Sequence, residues 1–200
     1  MILIVCAVAK ELAFLEPQPH VEILVTGVGP VDAAANVSRA LATSPYDLVI
    51  NAGIAGALPG GPAVGDGVVV AEDAVELDLE SGEAIPLPDG LRAHDRAASD
   101  LTLVDRIAEQ GFATVRGITV SRVTSSDATA ARLAARGAQV ESMEGFAVLR
   151  AAEIAGVPAV QVRGISNRAG DRAAGGWDFA AGTDGLARIL DALLATAAPR

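Results

Sequence analysis

Glu144 and Asn167 are the residues of this 200-residue chain whose types and placement most suggest chemistry. The run from Ala138 to Ser142 is short and apolar, which suits a strand. Gly145 to Ala155 carries apolar residues at helical spacing, and Gly156-Val157-Pro158 then breaks the helix. Ala159 to Ile165 is rich in strand-forming residues. Read as a βαβ unit, the helix begins and the second strand ends at the same edge of the sheet. Ligands of open α/β sheets bind in the crevice at that edge. An acid there suits the recognition of hydroxyls, and an amide, with a donor and an acceptor, suits the reading of a heterocycle.

Other polar groups converge on the same edge. Glu11 lies just past the first apolar run, and Asn51-Ala52-Gly53-Ile54-Ala55-Gly56 follows a later one. Each has an ordinary structural explanation taken alone. An acid at a helix start answers the helix dipole, an asparagine after a strand makes a turn, and Arg163 can be a satisfied structural arginine. It is their common placement at strand ends that points to a site. Gly27-Val28-Gly29-Pro30 is weaker: Asp32 stands where a dinucleotide fingerprint needs its third glycine, and helix-start geometry accounts for the rest.

The elements that must position these residues alternate. Strands are expected at Ile2–Ala9, Val21–Thr26, Leu48–Asn51 and Thr114–Val123, with a pair or one long bent strand over Val68–Leu79. Helices are expected at Lys10–Leu15, Pro30–Leu41, Leu101–Glu109, Asp127–Arg136 (capped by Ser126 or Asp127) and Phe179–Thr196. Ser81–Ala98 reads as irregular, a lid, an interface segment or a solvated excursion. Such alternation implies an α/β fold with a largely parallel or mixed sheet, and one domain over residues 1–200.

Composition narrows the partners. Apolar residues make up 51% and aromatic residues 3%, which suits a sheet packed with small side chains. A net charge of −10 argues against nucleic acid and anionic membranes. Cys6 is the single cysteine and lies in an apolar run, as a buried thiol would. His20 and His94 are far apart and form no metal-ligand spacing, so no metal is expected. Met1-Ile2-Leu3-Ile4-Val5 reads as a first strand rather than a signal peptide, and no apolar run reaches the ~18–20 residues of a membrane span. A cytoplasmic protein is the simplest expectation.

Several motifs together resemble the purine nucleosidase branch of the nucleoside phosphorylase superfamily, over nearly the whole chain. Ala7-Val8-Ala9-Lys10-Glu11-Leu12 looks like the first-strand motif ending in an acid. Thr26-Gly27-Val28-Gly29-Pro30 and Asn51–Gly56 look like the two Gly-rich loops, Val64-Gly65-Asp66-Gly67-Val68-Val69 like the VGD signature, and Glu141-Ser142-Met143-Glu144 like the ribose-binding Met-Glu. The resemblance implies a single-domain, three-layer α/β/α architecture around a central mixed, mostly parallel twisted sheet. It also implies hydrolysis rather than phosphorolysis, because the first loop offers Glu11 and no arginine near Gly27–Gly29. Arg163-Gly164-Ile165-Ser166-Asn167, with Gly170, Arg172 and Trp177 downstream, is similar to the futalosine hydrolases of the menaquinone pathway, whereas adenine-releasing relatives have aspartate at the position of Asn167.

The resemblance assigns roles. Glu11 would activate water, Glu144 would hold the ribose hydroxyls with Met143 packed on the sugar, and Asn167 would hold the base, buttressed by Ser166 and Arg163. Backbone groups of Ile54, Ala55 and Gly56 would line the pocket. A cation for the benzoate of futalosine would come from Arg168 or Arg172, and Trp177 would stack on the aryl group or belong to the core. No cofactor is implied, and the partners would be a small nucleoside, water and further copies of the chain in a homodimer or larger homo-oligomer. An adenine-releasing methylthioadenosine/adenosylhomocysteine nucleosidase and a nucleoside-binding protein without turnover stay open at this point.

Overall fold

The computed structural model describes residues 1–79, 82–170 and 176–197. Its strands are β1 (Ile2–Cys6), β2 (Val21–Val25), β3 (Leu48–Ala57), β4 (Gly67–Val75), β5 (Arg96–Ala98), β6 (Ala113–Thr119), β7 (Val140–Ser142) and β8 (Ala159–Arg168). The helices are α1 (Pro30–Thr43), α2 (Leu101–Ala108), α3 (Asp127–Ala135), α4 (Gly145–Ala155) and α5 (Phe179–Ala197). The local signals read from the sequence act as expected: Pro30 opens α1, Ser126 caps α3 by accepting from the Thr129 N–H, and Gly156 ends α4 in the left-handed conformation.

The described strands form one mixed sheet. Pairing is parallel between β1 and β2, β1 and β3, β3 and β8, β4 and β6, and β6 and β7. It is antiparallel between β3 and β7, β4 and β5, and β4 and β8. The pairings β3–β8–β4–β6–β7–β3 close on themselves, so the sheet curls into a ring at one end. Helices cover both faces. Ile4 and Cys6 of β1 point to the face packed by Leu186, Ile189, Leu190 and Leu193 of α5, while Leu3 and Val5 point to Ala33 and Val37 of α1 and Val148 and Ala152 of α4. The period-two alternation of a strand buried on both sides explains why β1 is apolar throughout.

Two expectations change. The Gly-rich stretch after Asn51 is no loop, since β3 runs on to Ala57. And β7–α4–β8 is not a parallel unit, because β7 runs against β3 while β8 runs with it. Glu144 and Asn167 still meet, by a different route. The curled end of β3 places Gly56 between Glu141 of β7 and Asn167 of β8. In the stretch expected to be irregular, β5 pairs with β4 and Pro88–Gly90 forms a 3-10 turn.

Candidate active site

Where the sheet curls, a cavity of about 200 Å³ opens. Glu11, Ile54, Ala55, Gly56, Met143, Glu144, Ser166, Asn167 and Trp177 all line it, so the structure gathers nine of the expected residues around one space. Arg163 lies buried behind the wall rather than on it. Arg172 is outside the described residues, and Arg168 borders a neighbouring groove instead.

Glu11 sits in a 3-10 turn, Ala9–Leu12, that follows β1 directly. The N–H groups of Ala7 and Val8 donate to its Oε2 at 3.1 Å each, and the N–H of Ile54 donates to Oε1 at 2.9 Å. Backbone donors from two segments thus set the orientation of a carboxylate that is 5% exposed. Gly53 makes room for it: a Cβ there would press on the Arg163 guanidinium and come within 2.9 Å of Glu11 Oε1. The glycine spacing that looked like a loop signal is clearance for two long side chains crossing the strand.

Glu144 is the residue preceding α4, and its backbone carbonyl accepts from the Val148 N–H at 3.0 Å. Its side chain does not cap that helix. It reaches across to accept from the N–H of Gly29, the residue before α1, at 2.9 Å. The first glycine loop, which the sequence explained as a helix start only, is therefore a partner of the acid. Burial pushes the Glu144 carboxyl above its usual range, and the nearby Glu11 charge adds to this, while the Arg163 charge and the N–H groups of Gly29 and Met143 pull it back.

Asn167 is half-buried at the end of β8. Its Oδ1 accepts from the Ser166 hydroxyl at 2.8 Å and its Nδ2 donates to the Arg168 carbonyl at 3.1 Å. The Ser166 hydroxyl is also within 3.3 Å of the Ala55 carbonyl. Arg163, 2% exposed, donates from Nη2 to the Ser142 hydroxyl at 3.5 Å, and its Nε–H meets no acceptor among the described residues. Cys6 is buried as expected, and burial, helped by the Glu11 charge, pushes its thiol up to about 12.

Sequence reasoning passed over several wall residues: Glu141, Phe179 and the valines Val8, Val28, Val120 and Val123. Of these Glu141 left a visible signal, an acid inside the short strand expected over Ala138–Ser142, which is buried throughout its three residues Val140–Ser142. It also passed over Asp73, fully buried behind the site. Asp73 accepts from the Thr119 hydroxyl at 2.7 Å and from Gln161 Nε2 at 2.9 Å, and Thr119 in turn accepts from the Phe146 N–H at 2.7 Å in the first turn of α4. Burial raises Asp73 from the ordinary 3.8 to about 6 despite these donors and the Arg163 charge. An acid with a folded value above its unfolded one favours the folded state most below the unfolded value, and loses that advantage as pH rises through about 6. Asp73→Asn, which cannot ionise, should therefore gain on the parent by roughly 3 kcal/mol between about pH 4 and pH 7. Urea unfolding of both proteins across that window checks it, and a constant difference would contradict it.

The model of the phosphorylase superfamily matches residues 9–196. A futalosine hydrolase of Thermus thermophilus is 36% identical over 182 residues, covering 86% of this chain and 80% of that protein. A futalosine hydrolase of Streptomyces coelicolor is 37% identical over 185 residues, covering 86% and 76%. Among solved structures, the 5′-methylthioadenosine/S-adenosylhomocysteine nucleosidase of Neisseria meningitidis, in complex with methylthio-immucillin-A, superposes with a TM-score of 0.81 at 20% identity, over 98% of each chain.

Proposed function

The chain belongs to the phosphorylase superfamily, and we propose that, like the futalosine hydrolases it matches over most of its length, it is an N-glycosidase that hydrolyses futalosine to hypoxanthine and the remaining ribosyl compound. The observation that carries the hydrolytic half of this reading is the sign of the wall. Among the described residues the cavity is lined by Glu11, Glu141 and Glu144 and by no lysine or arginine. Such a wall repels phosphate, admits water and stabilises positive charge growing on a sugar.

Breaking the N-glycosidic bond leaves an oxocarbenium-like sugar and an electron-rich purine. Glu11, fixed by its backbone donors, takes a proton from water as the water attacks the anomeric carbon. Glu144 accepts from ribose hydroxyls, a bond that strengthens as the sugar becomes electron-poor. The departing purine takes a proton at N7 from solvent water, balanced by the one that Glu11 takes from the attacking water and then returns to solvent, and a 6-oxopurine then offers an N7–H donor and an O6 acceptor side by side. The Asn167 amide answers both at once. Met143 packs on the sugar, and Trp177, which lines the cavity and is 55% exposed, stacks on the aryl group of the substrate.

A product assay tests the reading. Hypoxanthine should appear from futalosine and, more slowly, from inosine, at rates that added phosphate leaves unchanged. Adenine from methylthioadenosine without hypoxanthine from either nucleoside would replace this reading with the adenine-releasing one, and tight nucleoside binding without base release would make the chain a binding protein. A homodimer or larger homo-oligomer and a cytoplasmic location belong to the same proposal. Among the described residues no helix is long and apolar enough to cross a membrane.

A further inference from the structure

We propose that Thr119 and Asp73 are positioning residues for Glu144: together they take over the capping of α4, so that the Glu144 carboxylate is left free for the substrate. This rests on the reading of Glu144 as the acid that accepts from ribose hydroxyls, and it holds for a 6-oxopurine and a 6-aminopurine nucleoside alike.

The position of Glu144 sets two demands on one side chain. Glu144 is the N-cap residue of α4. The first N–H groups of a helix have no partner within it, and the N-cap side chain ordinarily accepts from the second or third of them. A carboxylate in that place is also drawn to the positive end of the helix dipole. The Glu144 carboxylate nonetheless leaves the helix, accepts from the Gly29 N–H and lines the cavity. It can do so because other acceptors serve the helix start. The Gly145 N–H donates to the Ser142 hydroxyl at 3.3 Å, and the Phe146 N–H, the second of the helix, donates to the Thr119 hydroxyl at 2.7 Å. Thr119 is the last residue of β6 and does from another strand what an N-cap side chain does locally.

Asp73 fixes which way that hydroxyl points. An ionised carboxylate only accepts, so the Thr119 hydroxyl donates to Asp73 Oδ1 at 2.7 Å and its oxygen keeps its lone pairs for Phe146. Gln161 Nε2 donates to the other carboxylate oxygen at 2.9 Å. Two glycines let the neighbouring elements close over the acid: a Cβ at Gly117 of β6, or at Gly145 in the first position of α4, would collide with Asp73 Oδ2. The buried carboxylate thus lies against the start of α4, where the helix dipole favours a negative charge, and the Arg163 charge of β8 favours it too. Without this relay the Phe146 N–H would lack an acceptor. Glu144, in the N-cap position, carries the carboxylate able to turn onto it, which would draw that group away from Gly29 and from the substrate.

Inosine and 2′,3′-dideoxyinosine separate positioning from a merely structural role. They differ only in the hydroxyls that Glu144 would hold, so the ratio of their kcat/KM values reads that contact, and any loss of folded protein lowers both rates alike. Thr119→Val should cut the ratio of the parent by about tenfold or more, the effect of losing a hydrogen bond to a charged group. Thr119→Ser keeps the hydroxyl and should stay within about twofold of the parent. Asp73→Asn should lower the ratio by about fivefold, because an amide both donates and accepts and no longer fixes the hydroxyl. That variant should be more stable than the parent near neutral pH, so a loss there is not one that weakened structure would produce, and it carries the test if Thr119→Val does not fold. A parental ratio in a folded Thr119→Val or in Asp73→Asn would overturn the proposal. So would equal losses in Thr119→Ser and Thr119→Val, or a parent that does not distinguish the two nucleosides. If the parent releases adenine instead, adenosine and 2′,3′-dideoxyadenosine replace the pair, and if it binds without turnover the ratio of Kd values replaces that of kcat/KM. In either case the 6-oxopurine hydrolase reading falls while the roles of Thr119 and Asp73 are decided by the same ratios.

Discussion

Glu11→Gln is expected to lower kcat by about 10²–10⁴-fold while changing KM little, because it removes a proton acceptor from the transition state and leaves the ribose and base contacts in place. The environment of Glu11 makes the substitution informative. Its two oxygens take backbone N–H groups from Ala7, Val8 and Ile54. A glutamine has one oxygen for them and must turn its NH₂ toward at least one N–H. The variant should therefore also be less stable by roughly 1–3 kcal/mol, the cost of a buried donor left unpaired. The two effects are separable: turnover is measured well below the unfolding transition, and thermal unfolding is followed on the same sample. Steady-state release of hypoxanthine near the parent rate would move the water base to another residue. Full loss of activity together with loss of the folded signal would reassign Glu11 to stability.

That Glu11, Glu144 and Asn167 share a cavity was legible in the chain, because each stands at the end of an apolar run and such ends collect at a sheet edge. How they share it was not. The parallel βαβ unit read from Ala138–Ile165 is replaced by strands of opposite sense, since the three residues of β7 pair with the far end of β3, a partner more than eighty positions away in sequence that no local pattern identifies. The same non-local pairing turned Ala52–Gly56 from a loop into strand. Glycine and alanine are poor strand formers, and their service here, clearing space for Arg163, Glu11, Asn167 and Glu141, exists only once the neighbours are in place. Asp73 was hidden for a related reason. In the run Val68–Val75 the acid reads as a break in apolar patterning, whereas in the fold it meets Thr119 and Gln161 from two other strands. Buried polar networks join residues that are distant in sequence, and their members look ordinary one at a time.

The other large effect is a change of substrate. Asn167→Asp should shift the ratio of kcat/KM toward 6-aminopurine nucleosides by about 10–10³-fold, measured in competition between inosine and adenosine or their 5′-substituted forms. The amide owes its orientation to its neighbours: the Ser166 hydroxyl donates to Oδ1, and Nδ2 donates to the Arg168 carbonyl. An aspartate keeps the first contact and loses the second, placing a charged oxygen against a carbonyl and favouring a turn toward the ligand. There it meets N7–H and the 6-amino group as two donors, a match, but meets O6 of hypoxanthine as acceptor against acceptor, a mismatch in a part-buried site. Unchanged selectivity would remove Asn167 from base reading.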